Sequence, residues 1–320
     1  MKNNWQSVAT DLRKICPDSV AENVDLKTIT RWKIGGIAPV IVEPSSTEEL
    51  VSSIRYVSEK GLPQITVGDC SNLLFDDGEL DALIIKIGSK FSKMKAVNTR
   101  IVCESGIWVP HLVRKSAVLG LGGLQHAVGI PGTLGGLIFM NGGSQRKGIA
   151  DHLIDVTWIS AEGDIRKIER HDCDFGYRSS IFQRINGVIA ECSLELSREA
   201  PDVLRREMIN ILRSRRHKFP IKLPNCGSVF ISNPSLYNAV GPPGKVIEDS
   251  GLKGACIGGA QISPTHANFI VNNGNATAND VLSLIKISRE AVFERTGCWM
   301  DCEVRYVRTD GKIMPAHRCL

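Results

Sequence analysis

No apolar run in this 320-residue chain approaches the 18 residues expected of a membrane-spanning helix. The opening Met1-Lys2-Asn3-Asn4-Trp5-Gln6-Ser7 lacks the apolar centre of a secretion signal. A cytoplasmic address without membrane attachment is therefore expected. Ten cysteines are present, but none falls in a paired spacing, so reduced thiols are the expected state. Cys298 and Cys302 have no His or Cys neighbours at zinc-ligand spacing, and no metal is expected. Aromatic residues make up only 6% of the chain, and none interleaves with its basic cluster, Arg213, Arg215, Arg216, His217 and Lys218. That argues against nucleic acid as a partner. The cluster reads either as the cation-rich end of a helix or as a seat for an anionic small molecule. Repeats and low-complexity linkers are missing too. What remains, 42% hydrophobic and 23% charged residues with a net charge of +5, is ordinary globular composition, long enough for two or three subdomains.

Glycine, by contrast, is concentrated. Gly129-Ile130-Pro131-Gly132-Thr133-Leu134-Gly135-Gly136-Leu137-Ile138-Phe139-Met140-Asn141-Gly142-Gly143 has six glycines in fifteen residues and no charge. Interior Gly costs a helix about 1 kcal/mol and Pro about 3, so this composition does not favour regular structure. It favours positive φ and close main-chain approach, which suit a loop of N–H groups around a diphosphate. A tight turn between buried strands is the alternative.

Around this stretch strands and helices alternate. Val8, Leu12 and Ile15 mark one helical face, and Val40-Ile41-Val42 a strand. Ser46 and Glu49 have capping-box spacing before a helix that stops at Lys60-Gly61. Strand 63–67 leads into a small-polar loop, Gly68-Asp69-Cys70-Ser71-Asn72-Leu73-Leu74, a common ligand position in strand–helix–strand units. Strands are expected at 83–87 and 100–104, a helix at 109–119, a hairpin over 153–168 and a strand over 188–196. After a boundary near 197–201 come a helix from Asp202 to Leu212 and a second glycine-bearing loop at Cys226-Gly227-Ser228. A long helix capped by Thr277 and Asp280 and a last strand, Trp299 to Val307, follow.

Eight motifs in register then name a family. They are Gly-Asp-Cys-Ser-Asn (68–72), Gly-Ile-Pro-Gly-Thr-Leu-Gly-Gly (129–136), Met-Asn-Gly-Gly (140–143), Phe-Gly-Tyr-Arg-Ser-Ser-Ile-Phe (175–182), Gly-Ser-Val-Phe (227–230), Gly-Gly-Ala-Gln-Ile-Ser (258–263), His-Ala-Asn-Phe-Ile-Val-Asn (266–272) and Glu-Val-Arg (303–305). From about Leu26 to Arg305 the chain resembles the UDP-N-acetylenolpyruvoylglucosamine reductases, also called UDP-N-acetylmuramate dehydrogenases, of peptidoglycan synthesis, in their shorter subtype.

The resemblance implies an α+β architecture: an FAD-binding fold of the vanillyl-alcohol-oxidase kind in two subdomains (1–90 and 91–200), plus an α+β substrate domain (201–320). It implies FAD, NADPH as electron source and a UDP-sugar enolpyruvyl ether as substrate; the FAD is expected to be non-covalent and the protein a monomer. Arg178 matches the arginine on the substrate carboxylate, Ser228 the proton donor, and Glu303 the second acid. FAD is expected on Gly68, Asp69, Cys70, Ser71, Asn72 and Leu73, on Gly129, Ile130, Pro131, Gly132, Thr133, Gly135 and Gly136, and on Asn141, Gly142, Val188 and Ile189. Tyr177, Asn233 and Gln261 are expected at the substrate. NADPH and substrate share one pocket in this family, so no separate dinucleotide fingerprint is expected.

The chain departs from the family pattern in four places: Cys70 replaces a glycine, Gln125 a glutamate, and Ser144-Gln145-Arg146-Lys147 a more usual Ala-Tyr/His-Gly-like turn. Phe230-Ile231-Ser232-Asn233-Pro234 is one residue longer than usual and loses a substrate-binding lysine. They leave two other readings open, a related FAD reductase acting on a different enol ether or nucleotide sugar, and a non-catalytic flavin-binding module.

Overall fold

The apolar runs read from the sequence become two α+β units in a computed structural model, which describes residues 3–232 and 234–320, the side chains of 234–236 excepted. Asn233 thus lies outside the described residues. Unit 1 comprises Met1–Glu22, Val40–Asp69 and Leu83–Arg215; unit 2 comprises Asn23–Pro39, Cys70–Ala82 and Arg216–Leu320. Among the described residues no helix is long and apolar enough to cross a membrane, and no cluster of His, Cys, Asp or Glu could hold a metal.

In unit 1 the helix Trp5–Ile15 buries Val8, Ala9 and Leu12, as its spacing predicts. With the helix Thr47–Glu59 it covers a sheet ordered Val20–Asp25, Ile37–Val42, Leu83–Lys86, Gln64–Val67, in which Ile84 is the parallel partner of both Ile41 and Ile65. The expected capping box is shifted. Ser46 accepts the N–H of Glu49, but the Glu49 carboxylate turns to Ser45, accepting its N–H at 2.7 Å and its hydroxyl at 2.9 Å. A second core lies on an antiparallel sheet ordered Ile165–Glu169, Leu153–Ser160, Gly187–Glu195, Arg100–Glu104, Met94–Val97. The helix Val109–Val118 packs into that core through Leu112 and Val113.

Three further expectations are corrected here. The glycine-rich stretch is not wholly irregular, because Leu134–Phe139 is helical. Burial of Leu134, Leu137 and Ile138 outweighs the glycine penalty, and Thr133 caps the turn. The helix expected to end at Leu212 runs from Pro201 to Lys218, which makes the basic cluster its last turn. The strand expected over 299–307 is confined to Arg305–Val307, since residues 301–303 pair elsewhere and Trp299 stacks on Phe293 at 4.3 Å.

Unit 2 has one core around the helix Ala278–Thr296, which buries Val281, Leu284, Ile285 and Val292. Its N-terminus has the expected reciprocal box: Thr277 accepts the N–H of Asp280, and Asp280 accepts that of Thr277 at 2.9 Å. Leu73 and Leu74, read as loop, belong to a strand Leu73–Phe75 that pairs in parallel with Arg305–Val307. Trp32, fully buried, donates its indole N–H to the Ile270 carbonyl at 2.8 Å. Removing the cap by Thr277→Ala should cost about 1 kcal/mol, read as a lower urea midpoint for unit 2 fluorescence.

Candidate functional site

Much of the second half of the 129–143 stretch has its donors committed. Leu134 and Gly135 donate to the carbonyls of Ile107 (3.0 Å) and Ser105 (2.8 Å), and Gly142 donates to Leu137 (2.7 Å). The N–H groups of Gly132 and Thr133, by contrast, meet no acceptor among the described residues. Gly132 has φ +131, which glycine alone adopts freely. Gly68 reaches the same point, where any Cβ on it would collide with the Thr133 hydroxyl. At the head of the stretch Gly129 leaves room for Arg215, whose Cδ and Nε would lie 2.5 Å from a Cβ there. Burial pushes the Arg215 pKa down through desolvation, although the group remains a cation. Two adjacent N–H groups without a protein acceptor, a glycine contact and a guanidinium against Gly129 fit an anion such as the FAD diphosphate. Arg215 was visible in the sequence only as one member of a charge run.

His126, just ahead of the stretch, is 1% exposed. Its Nδ1 accepts the N–H of Ser144 at 3.4 Å, and burial with the nearby His152 pushes its pKa down to about 4. Gln125, also buried, accepts the Gly123 N–H at 2.6 Å, so a neutral amide serves where the family has a carboxylate. Asn141, with φ +42, donates to the Gly176 carbonyl at 2.9 Å and accepts the Ala150 N–H. Its amide therefore organises the loop that carries Arg178. Ser180 and Gln183 both donate to the Phe139 carbonyl, at 2.7 and 3.0 Å, and Gln183 also donates to that of Arg178. Arg178 itself is held at φ +55, a strained value for a side-chain-bearing residue. Its guanidinium donates to the Gly143 carbonyl at 3.4 Å and lies 5.3 Å from the ring of exposed Tyr177. Val188 and Ile189 are buried on the strand Gly187–Glu195.

In unit 2 the structure brings Ser228 and Glu303 onto facing segments. The Val229 carbonyl accepts the Glu303 N–H at 2.8 Å, and Phe230 bridges to Cys302. Asn72 ties in the third segment: its side chain donates to the Glu303 carbonyl at 3.0 Å, and its own carbonyl accepts the Arg305 N–H at 3.1 Å. Cys70 is buried at φ +49, in the left-handed region that a glycine would hold with less strain. Its carbonyl lies 3.5 Å from the Cys226 thiol, whose pKa burial pushes well up. Gln261 is turned to its own loop, donating to Gly254 and accepting from Asn273.

Two tests follow. Gly68→Ala should leave the fold intact but weaken FAD retention roughly tenfold, measured as flavin absorbance per protein after gel filtration. The unfolded state protonates His126 near its ordinary 6.5, the folded state only near about 4. Between these values the unfolded chain binds more protons, so stability falls as pH falls, by at most on the order of 3 kcal/mol for this one group. His126→Gln should flatten that part of a plot of unfolding midpoint against pH.

Comparison with known proteins gives the family. Residues 38–169 match the family model described as FAD binding domain. Residues 219–307 match that of UDP-N-acetylenolpyruvoylglucosamine reductase, C-terminal domain. The chain is 46% identical over 312 residues to UDP-N-acetylenolpyruvoylglucosamine reductase 1 of Corynebacterium glutamicum, covering 98% of this chain and 93% of that one. It is 39% identical over 282 residues to the corresponding reductase of Heliobacterium modesticaldum, covering 88% of each. The crystal structure of the Thermus caldophilus reductase superposes with a TM-score of 0.74 at 29% identity, covering 88% of this chain and 97% of that one. On the strength of the near full-length relatives, this chain belongs to the UDP-N-acetylenolpyruvoylglucosamine reductase family.

Proposed function

We propose that the protein is an FAD-dependent oxidoreductase that reduces UDP-N-acetylglucosamine-enolpyruvate to UDP-N-acetylmuramate with NADPH, supplying peptidoglycan synthesis. Near full-length relatedness to reductases of that name carries the reading. FAD, when bound, supplies the hydride carrier between NADPH and the enol ether. The main chain at Gly68, Gly132 and Thr133, with Arg215 nearby, holds its diphosphate, and the rest of the cofactor set named from the sequence stays part of this proposal. The division into two FAD-binding parts, 1–90 and 91–200, and a substrate part, 201–320, stays part of this proposal; the three hydrophobic cores follow it only in outline, since Ile159, Val188 and Ala190 pack with the first and Leu204, Met208 and Ile211 with the second. Segments Asn23–Pro39 and Cys70–Ala82 nonetheless pack with the third.

Reduction of an enol ether needs a hydride at one carbon and a proton at its neighbour. The planar fork of Arg178 holds the substrate carboxylate. The Ser228 hydroxyl gives up its proton; so weak an acid serves because the acceptor is a strongly basic carbanion-like carbon. Glu303, fixed beside the Ser228 segment by its own main chain, orients the reacting group. Tyr177, Asn233 and Gln261 remain candidates for binding the substrate.

Stopped-flow spectroscopy under anaerobic conditions tests the proposal. NADPH should bleach the flavin, and UDP-N-acetylglucosamine-enolpyruvate should restore it. In Ser228→Ala the first step should persist while the second slows by about a hundredfold or more, within the range expected for general acid catalysis. Flavin that NADPH reduces but this substrate cannot reoxidise would point to a different enol ether.

A further inference from the structure

We propose that Asn268 is a positioning residue for proton transfer, acting through Ser228. The inference rests on the reading of Ser228 as proton donor. Ser228 follows Gly227, at φ +79, and precedes Val229 and Phe230, which belong to none of the named strands among the described residues. There Asn268 stands in for a strand. Its main-chain carbonyl accepts the Val229 N–H at 2.9 Å, its Oδ1 accepts the Phe230 N–H at 2.9 Å, and its Nδ2 donates to the Phe230 carbonyl at 3.0 Å. A carboxamide presents one donor and one acceptor, as a peptide group does, so this side chain completes a ladder rung that sequence-local structure leaves open.

Asn268 is 5% exposed and is itself held from behind. Its N–H donates to His266 Nδ1 at 3.2 Å, and the fully buried Ser263 hydroxyl accepts the N–H groups of Thr265 and His266. The His266 ring lies 5.4 Å from that of Phe219 and 5.1 Å from that of Phe269. On its far side, Val229 accepts the Glu303 N–H. The residue after Ser228 is thus gripped from both sides, by Asn268 and by the segment of the second acid. Proton transfer falls steeply with misplacement, and an error of about 1 Å can cost on the order of a hundredfold. The rigid turn at 263–269 therefore sets the direction of the Ser228 hydroxyl.

The test uses the FAD-loaded enzyme with Ser228→Ala, Asn268→Ala and the double variant, each half-reaction measured separately. Flavin reduction by NADPH in Asn268→Ala should stay within about twofold of the parent, while reoxidation by UDP-N-acetylglucosamine-enolpyruvate slows roughly 10- to 100-fold. Because both residues act on one step, the double variant should be no slower than Ser228→Ala alone. Three outcomes overturn the proposal: parental reoxidation in Asn268→Ala, equal losses in both half-reactions together with loss of FAD, or multiplied losses in the double variant. Parental reoxidation in Ser228→Ala instead sinks the proton-donor reading itself, and is recognised without reference to Asn268. If Asn268→Ala does not fold, the near-isosteric Asn268→Asp, which keeps the acceptor but loses the donor, should show the same selective slowing. An unselective loss there counts against the idea.

Discussion

The hydrogen bond from the Glu303 N–H to the Val229 carbonyl is the constraint on which unit 2 depends. It joins two loops that are 74 residues apart in sequence, and every other feature of that region is arranged around it. Asn72 grips the Glu303 side, Asn268 the Val229 side, and the parallel pairing of Leu73–Phe75 with Arg305–Val307 continues the same seam. Side chains carried on loops usually trade rigidity for reach. Here the backbones of the two loops supply the rigidity by pairing with each other and with buried carboxamides.

Much of the scaffold could be read beforehand because its signals are local. Helical spacing at Val8 and Leu12, the Thr277–Asp280 box and the Gly163 turn each act within a few residues. What escaped was set by distant partners. Leu73 and Leu74 become a strand only because Arg305–Val307 lies alongside, and residues 301–303 leave the last strand because Val229 and Ile231 claim their main chain. Asn268 looked like one letter of a motif. Its work is done on a segment 38 residues away.

The glycine-rich stretch shows the same division at smaller scale. Composition pointed to a backbone cradle, and glycine is indeed used for close approach at Gly68 and Gly129 and for positive φ at Gly132. Composition could not say which N–H groups remain available, because Leu134 and Gly135 are claimed by carbonyls of the segment 105–107. Nor could it place Arg215 over Gly129, a contact between residues 86 apart. Two of the departures share a backbone feature: Cys70, Gln145 and Arg146 all occupy left-handed conformations that glycine would hold with less strain.

The indole of Trp32 has a further consequence, for biosynthesis. Its hydrogen-bond partner and most of the core around it lie in the last third of the chain, with Ile270 238 residues later. On a ribosome adding about 5–20 residues per second, Trp32, Ile34 and Leu74 must wait roughly 10 to 50 s for that core. During this interval a large aromatic and its aliphatic neighbours stay exposed on the nascent chain, and chaperone demand should be set by these early residues, whose completed environment is the last to be made.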